Sequence, residues 1–210
     1  PSSFWHQDTL ETLERLKDVL KPNAELADKQ LIVRLHPFYW EQPKMRQQVL
    51  SRLERLAELK NVYVDKNNVD VRASRVLIDQ KDQRRLLTYY RHCDACVSVA
   101  STAMIEMSCM KKPVFNIRYG YWNTPNEYFP YKDYTLHHLV ELQKYSAISN
   151  SDSFEELIDN LKAFDGSSFF EQDIEDFLER EIGPNKGRAG LAFAARIENL
   201  LGDDNVIPFY

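Results

Sequence analysis

The chain has 210 residues, of which 43% are hydrophobic and 28% charged, and this composition is typical of a folded protein with a sizeable core. Its 11 Phe, 11 Tyr and 3 Trp exclude intrinsic disorder of the whole chain. The net charge of -5 argues against a general nucleic-acid binder but is compatible with a small phosphate-bearing ligand, which needs only one or two local positive groups.

The sequence also bears on the cellular location of the protein and on whether the chain is part of a longer one. No run of 18 apolar residues is present, and residues 1–30 do not resemble a signal peptide. Three cysteines, an odd number, suit a reducing compartment better than a disulfide framework. We therefore expect a cytoplasmic protein, with a location peripheral to the membrane left open. A first residue other than Met favours the interpretation that the chain is part of a longer protein.

The first half of the chain alternates between helical and strand patterns. Leucines at helical spacing predict a helix over 9–20, with Asp8 and Glu11 as a capping box. A short apolar run predicts a buried strand over 31–35. The remaining predicted elements are a helix over 44–60, strands over 62–64 and near 76–78, a helix over 82–92, a strand over 95–99, a helix over 103–110 and a strand over 113–117.

This alternation of strands and helices predicts an α/β fold with a Rossmann-like, doubly wound parallel sheet formed by residues 30–118. Residues 118–135 show no periodicity. Ser153 and Glu156 then form a second capping box, and helices follow over 170–181 and 188–201. We expect one nucleotide-binding domain over residues 1–210, with 136–210 a helical part that packs back on the sheet.

Two candidate phosphate sites follow predicted strands. Arg34 and His36 lie on one face at the end of the first strand, where ligands bind in open α/β sheets. Arg34 can donate two hydrogen bonds to a phosphate, or it can pair with a carboxylate inside the fold. Ser101 and Thr102 begin a helix directly after the strand over 95–99, where free N–H groups and the helix dipole favour an anion.

Glu106 lies one helical turn beyond Thr102 and can accept hydrogen bonds from a ribose diol or brace the loop. The carboxyl ends of parallel strands meet at one edge of a sheet. We therefore expect Arg34 or His36 and the Ser101-Thr102 cap to line one cleft that holds a nucleotide phosphate.

Other polar or aromatic motifs favour structural roles. Cys93 and Cys96 form a CxxC motif at a helix-to-strand junction, and without a second ligand pair it indicates packing rather than a redox or zinc site. The adjacent residues His137 and His138 cannot easily share a metal on a helix. The aromatic segment 119–131 is a loop packed on the sheet, a stacking surface or an interface.

The segment 86–117, LLTYYRHCDACVSVASTAMIEMSCMKKPVFNI, resembles the nucleotide-binding stretch of GT-B glycosyltransferases. The string RLHP over 34–37 is similar to the HP motif of capsule-type and sialyltransferase-like members and of CDP-glycerol polyol-phosphate transferases. The string over 187–201 resembles their closing helix. Lys111 stands where these proteins usually carry Gly.

The resemblance implies the C-terminal, donor-binding half of a GT-B transferase in surface polysaccharide or glycoconjugate synthesis. His36, Ser101 and Thr102 would contact phosphates of a CMP-, CDP- or UDP-linked donor, and Glu106 would lie near its ribose. No cofactor or metal is implied, and no catalytic residue can be assigned. The partners implied are the nucleotide-sugar donor, a glycan or lipid-linked acceptor and a separate N-terminal GT-B domain.

Three other functions remain open. Two are enzymes: a CDP-linked polyol-phosphate transferase and, less favoured, a nucleotide-sugar 2-epimerase, which needs acid/base carboxylates. The third is a non-catalytic GT-B-like module that docks a partner through residues 119–131.

Overall fold

The computed structural model describes residues 4–34, 43–65, 70–72, 75–77, 79–99, 101–119, 140–141, 143–146, 148–166 and 171–202. Within these ranges the chain forms seven helices and seven strands in mixed α/β order. The helices are α1 (Phe4–Leu20), α2 (Pro43–Leu56), α3 (Gln80–His92), α4 (Thr102–Cys109), α5 (Phe154–Ala163), α6 (Glu171–Glu181) and α7 (Ala189–Gly202). The strands are β1 (Leu31–Arg34), β2 (Val62–Asp65), β3 (Asp70–Arg72), β4 (Arg75–Leu77), β5 (Cys96–Ser98), β6 (Val114–Ile117) and β7 (Ile148–Ser151).

The central strands pair in parallel, as their alternation with helices predicts. β1 pairs with β2 from Leu31–Val62 to Arg34–Asp65. β5, β6 and β7 form a second parallel sheet in that order. The strands predicted over 31–35, 62–64, 95–99 and 113–117 and their parallel direction are confirmed. The single predicted sheet is present as two, because no ladder joins β1 to β5 within the described residues.

Three strands differ from the prediction. The strand expected near 76–78 is β4, and it pairs antiparallel with β3, which was not predicted, outside the parallel sheets. β7 was not predicted, because its sequence Ile-Ser-Asn-Ser carries one apolar residue. It pairs with β6 and so extends the parallel sheet with a segment that the sequence assigned to the helical part.

Helix α5 packs against both parallel sheets. Phe154 and Ile158 belong to the core cluster that contains Val33 of β1. Leu157, on the same helix, packs with Phe115 and Ile117 of β6. Its N-cap Ser153 accepts a hydrogen bond from the Glu156 amide at 3.1 Å, as the capping-box pattern predicts. The helix therefore connects the two sheets through one apolar face.

Helices α1 and α2 cover one face of the β1–β2 pair. Leu16 and Leu20 of α1 and Leu53 and Leu56 of α2 are buried there with Val33. Helix α1 begins at Phe4, five residues before its predicted start, so Asp8 lies inside the helix. The predicted capping box at Asp8 is therefore wrong, since an N-cap residue must precede the first turn.

The two C-terminal helices differ in burial. In α6, Ile174, Phe177 and Leu178 are buried and form an apolar stripe along one side of the helix. In α7, the side chains of Leu191 and Phe193 are 73% and 69% exposed, so these two apolar residues are not part of the described core. Among the described helices, none combines the length and apolar composition that crossing a membrane requires.

Candidate functional site

The carboxyl end of β1 carries a compact group of four charged residues. Arg34 donates from Nη1 to Asp65 Oδ2 at 2.6 Å and from Nη2 to Asp82 Oδ2 at 2.5 Å. Arg85 donates to the other oxygen of Asp82 at 2.6 Å, and its Nε lies 3.3 Å from Asp65 Oδ2. Two arginines therefore balance two buried aspartates. Of the two roles considered for Arg34, the structure shows the ion pair.

Helix α3 holds Asp82 in place within this group. Its N-cap Asp79 accepts a hydrogen bond from the Asp82 amide at 2.6 Å, which fixes the first turn against the end of β1. Burial acts to raise the pKa of Asp82, but hydrogen bonds from Arg34 and Arg85 outweigh it and hold the pKa below its ordinary value. The carboxylate is therefore ionised near neutral pH.

The second candidate site is the start of α4. Ser101 occupies the N-cap position with extended backbone, but its side chain makes no capping hydrogen bond. Its hydroxyl instead lies 3.0 Å from the hydroxyl of Ser98, at the end of β5. Thr102 is the first helical residue and is exposed. The first turn of α4 therefore receives no capping bond from Ser101. This turn follows the carboxyl end of a parallel strand, where its free N–H groups can bind an anion.

Glu106 bonds to Tyr90 rather than standing free on the surface of α4. Tyr90 Oη donates to Glu106 Oε2 at 2.7 Å, and the phenol ring is buried in the core beneath β5 and β6. Burial, together with the hydrogen bond and the negative charge of Glu106, raises the pKa of Tyr90, so its hydroxyl stays protonated and remains a donor. The bond fixes where the Glu106 carboxylate lies.

The hydroxyl of Tyr90 also responds to the charge of Arg34. After burial and Glu106, the other charges acting on this hydroxyl include Arg34, whose positive charge opposes the rise in pKa. His36, which the sequence assigns to the same edge, falls outside the described residues, as do residues 120–139 with His137, His138 and most of the aromatic segment.

Comparison with family models, with curated proteins and with solved structures finds no match for this chain. The resemblance of the 86–117 and 34–37 segments to GT-B enzymes therefore stays a prediction.

The cysteines have the properties of packing residues. Burial raises the pKa of Cys93, and it raises that of Cys96 to about 12, so neither thiol has the depressed pKa of a redox nucleophile. Cys109 is also a free thiol, and burial raises its pKa too. Across the described ranges, no three His, Cys, Asp or Glu side chains are grouped as metal ligands. That the thiols are reduced and metal-free in solution stays a prediction.

Several residues of the site were not found by sequence reasoning. Asp65 and Asp82 carry the pairing of Arg34, and Tyr90 fixes Glu106. One signal was available, because Asp65 directly follows the apolar residues of a predicted strand and is therefore expected at the same edge as Arg34. For Asp82 and Tyr90, helical periodicity alone does not distinguish a site residue from an ordinary one.

Proposed function

We propose that this chain is the donor-binding domain of a nucleotide-sugar-dependent glycosyltransferase that acts in surface polysaccharide or glycoconjugate synthesis. The observation that carries the proposal is the start of α4, which follows a parallel strand and receives no side-chain cap from Ser101. A nucleotide phosphate in that position would accept hydrogen bonds from the first-turn N–H groups and from the Thr102 hydroxyl.

The pairing of Arg34 changes which residues are assigned to the phosphate. Both of its terminal nitrogens already donate to Asp65 and Asp82, and its side chain is only 14% exposed. Moving it to a phosphate would leave two buried carboxylates to share the single positive charge of Arg85, which costs several kcal/mol, on the order of 3–5. We therefore assign phosphate binding to His36 and the start of α4, and treat Arg34 as a residue that fixes the end of β1.

Glu106 is assigned to the ribose. Its carboxylate can accept hydrogen bonds from a diol while it also accepts one from Tyr90, because a carboxylate has about four acceptor positions. Tyr90 thus acts as a positioning residue. The mechanism proposed for this half of the enzyme is electrostatic: donors fixed where the leaving phosphate gains charge stabilise the transition state.

Calorimetric titration with CMP, CDP, UDP and GDP tests the proposal. We expect at least one nucleotide to bind the wild type. His36→Ala or Thr102→Val should lower its affinity about 10- to 150-fold, because each removes one charge-assisted hydrogen bond to the phosphate. Ser153→Ala is the matched control, because it removes an N-cap serine from α5, which begins after a different strand. Its binding should equal that of the wild type.

The same titration separates the alternatives. Binding confined to CDP favours a polyol-phosphate transferase. No binding of any nucleotide at millimolar concentration contradicts the proposal and favours a non-catalytic module. Equal binding by the wild type, His36→Ala and Thr102→Val would show that the phosphate lies elsewhere.

A further inference from the structure

A row of polar side chains crosses the sheet formed by β5, β6 and β7. Ser98, Asn116 and Asn150 are register partners on the three strands. The row two residues earlier, Cys96, Val114 and Ile148, packs into the core cluster that contains Met104 and Met107 of α4. Because residues two apart share a face of a strand, the polar row faces the side of the sheet that α4 covers.

The hydrogen bonds along this row fix the orientation of both amides. Asn150 Nδ2 donates to the Gln143 carbonyl at 2.9 Å, and a carbonyl can only accept. Asn150 Oδ1 therefore faces Asn116 and accepts from its Nδ2 at 2.8 Å. This leaves Asn116 Oδ1 as an acceptor with no donor in the described part of the chain, on a side chain that is 0% exposed. A buried acceptor without a donor is unfavourable, so a partner other than the described residues, such as a ligand group or a bound water, is expected there.

The row leads to the start of α4. Ser98 donates its only hydroxyl proton to the Val99 carbonyl at 2.8 Å, so Ser101 is the donor in the contact between the two hydroxyls. The side chain of Ser101 is thus directed toward the polar row and away from its own helix. Two independent features, a helix start without a capping bond and a buried acceptor without a donor, lie on one face at the carboxyl edge of the same sheet.

We propose that Asn116 Oδ1 accepts a hydrogen bond, directly or through one bound water, from a hydroxyl of a phosphorylated ligand whose phosphate lies at the start of α4. For the phosphate, this inference rests on the function proposed above. It adds a requirement that inorganic phosphate and pyrophosphate do not meet, because neither carries a carbon-bound hydroxyl beside its phosphoryl group. The ligand class is a phosphorylated sugar or a nucleotide, with the hydroxyl on the ribose or on the transferred sugar.

Titration of wild type and Asn116→Leu with CMP, CDP, UDP, GDP, glucose 1-phosphate and pyrophosphate tests this inference. Leucine is close to asparagine in size but cannot accept a hydrogen bond. We expect Asn116→Leu to weaken binding of the hydroxyl-bearing ligands about 2- to 13-fold, the loss of one ordinary hydrogen bond, and to leave pyrophosphate unchanged. Asn160→Leu is the matched control, since the amide of Asn160 bonds to Ser151 instead of the row.

The source of the hydroxyl is distinguished by two further ligands. If it belongs to the ribose, the 2′-deoxy form of the bound nucleotide should bind wild type as weakly as the ribonucleotide binds Asn116→Leu. If it belongs to the transferred sugar, the deoxy form should bind normally, and Asn116→Leu should affect the nucleotide sugar more than the nucleotide.

The outcomes separate this inference from the proposed function. Nucleotides that bind wild type and Asn116→Leu equally would overturn the role of Asn116 and leave the proposed function intact. Binding of glucose 1-phosphate, but of no nucleotide, with a dependence on Asn116 would overturn the proposed function alone. An equal loss of pyrophosphate affinity would show a structural effect and overturn the inference.

A measurement on the unaltered chain keeps the test valid if Asn116→Leu does not fold. The side-chain amide signal of Asn116 in an NMR spectrum of the wild type should shift when a nucleotide or glucose 1-phosphate is added. Pyrophosphate should shift it far less. Equal shifts with pyrophosphate and with the hydroxyl-bearing ligands would overturn the inference.

Discussion

Arg34 and Asp65 are register partners at the carboxyl ends of β1 and β2, and their side chains form an ion pair of 2.6 Å across the two strands. Asp65 is 1% exposed. The other terminal nitrogen of Arg34 bonds to Asp82, in the first turn of α3. One guanidinium therefore joins the ends of two strands to the helix that leads toward the candidate phosphate site.

The first prediction concerns the stability of this group. We expect Arg34→Leu to lower the free energy of unfolding by about 3 kcal/mol, because it leaves the buried carboxylate of Asp65 with a weaker positive partner. Urea unfolding measures the change. Lys21→Gln is the control, since Lys21 pairs with Asp18 on the surface, and we expect a loss below about 1 kcal/mol. Equal losses in the two variants would contradict a structural role for Arg34.

The second prediction is a pH dependence of stability. Asp82 has a lowered pKa in the folded chain, because hydrogen bonds from Arg34 and Arg85 outweigh burial. Its stabilising contribution is therefore complete above the unfolded-state pKa, about 3.9, and is lost as the pH falls through the lower, folded-state value. We expect the difference in unfolding free energy between wild type and Asp82→Asn to be constant above about pH 5 and to shrink in more acidic buffer. A difference that grows on acidification would show that the sign is wrong.

Short-range patterns predicted most elements of this fold and failed where the determinants lie far apart in sequence. β1 and β6 are rich in apolar residues that identify buried strands on their own. β7 contains two serines and an asparagine, and it becomes a strand because β6 supplies hydrogen-bonding partners more than 30 residues away. Local propensity carries no information about such a partner.

The candidate site shows the same limit. Helical spacing correctly placed Ser101 at a helix start and Glu106 one turn further. The choice of Arg34 between a phosphate and a carboxylate depended on Asp65 and Asp82, which lie 31 and 48 residues away along the chain. Only the register of β1 with β2 and the position of α3 could decide it.

The third prediction compares two N-cap serines. Ser153 accepts a hydrogen bond from the Glu156 amide, whereas Ser101 makes no capping bond. We expect Ser153→Ala to lower the free energy of unfolding by about 1 kcal/mol, and Ser101→Ala to lower it by less than half as much. Thermal and urea unfolding of the two variants check this order. A larger loss from Ser101→Ala would indicate that this serine caps α4 in solution.

The fourth prediction concerns Lys111, which ends α4 with a φ of 54°. Its amide bonds to the Ser108 carbonyl and that of Lys112 to the Met107 carbonyl, the pattern of a left-handed helix end that favours glycine. Glycine should therefore fit this position better than any other residue. We expect Lys111→Gly to be more stable than Lys111→Ala by about 1 kcal/mol.

The comparison with Lys111→Ala isolates the backbone effect. Lys111 also pairs with Glu175 at 3.0 Å, and both variants lose that contact equally. Urea unfolding of the two variants therefore measures the conformational preference alone. Equal stabilities would mean that residue 111 does not keep its positive φ in solution.

The fifth prediction concerns Tyr90 and Glu106, whose side chains are joined by a hydrogen bond of 2.7 Å. We expect a double-mutant cycle of Tyr90→Phe and Glu106→Ala to give a coupling of about 1 kcal/mol in unfolding free energy, since alanine leaves the phenol no acceptor at this position. The expected value is at the low end for a charged hydrogen bond, because Glu106 is exposed and water can replace the phenol. If Tyr90 also positions Glu106 for a ribose, Tyr90→Phe should lower the affinity for the nucleotide that binds in the titration several-fold. Glu106→Ala should weaken binding of that nucleotide further, since it removes the acceptor itself. A coupling near zero would show that the phenol and the carboxylate do not bond in solution, and the assignment of Glu106 to the ribose would then lose its structural support.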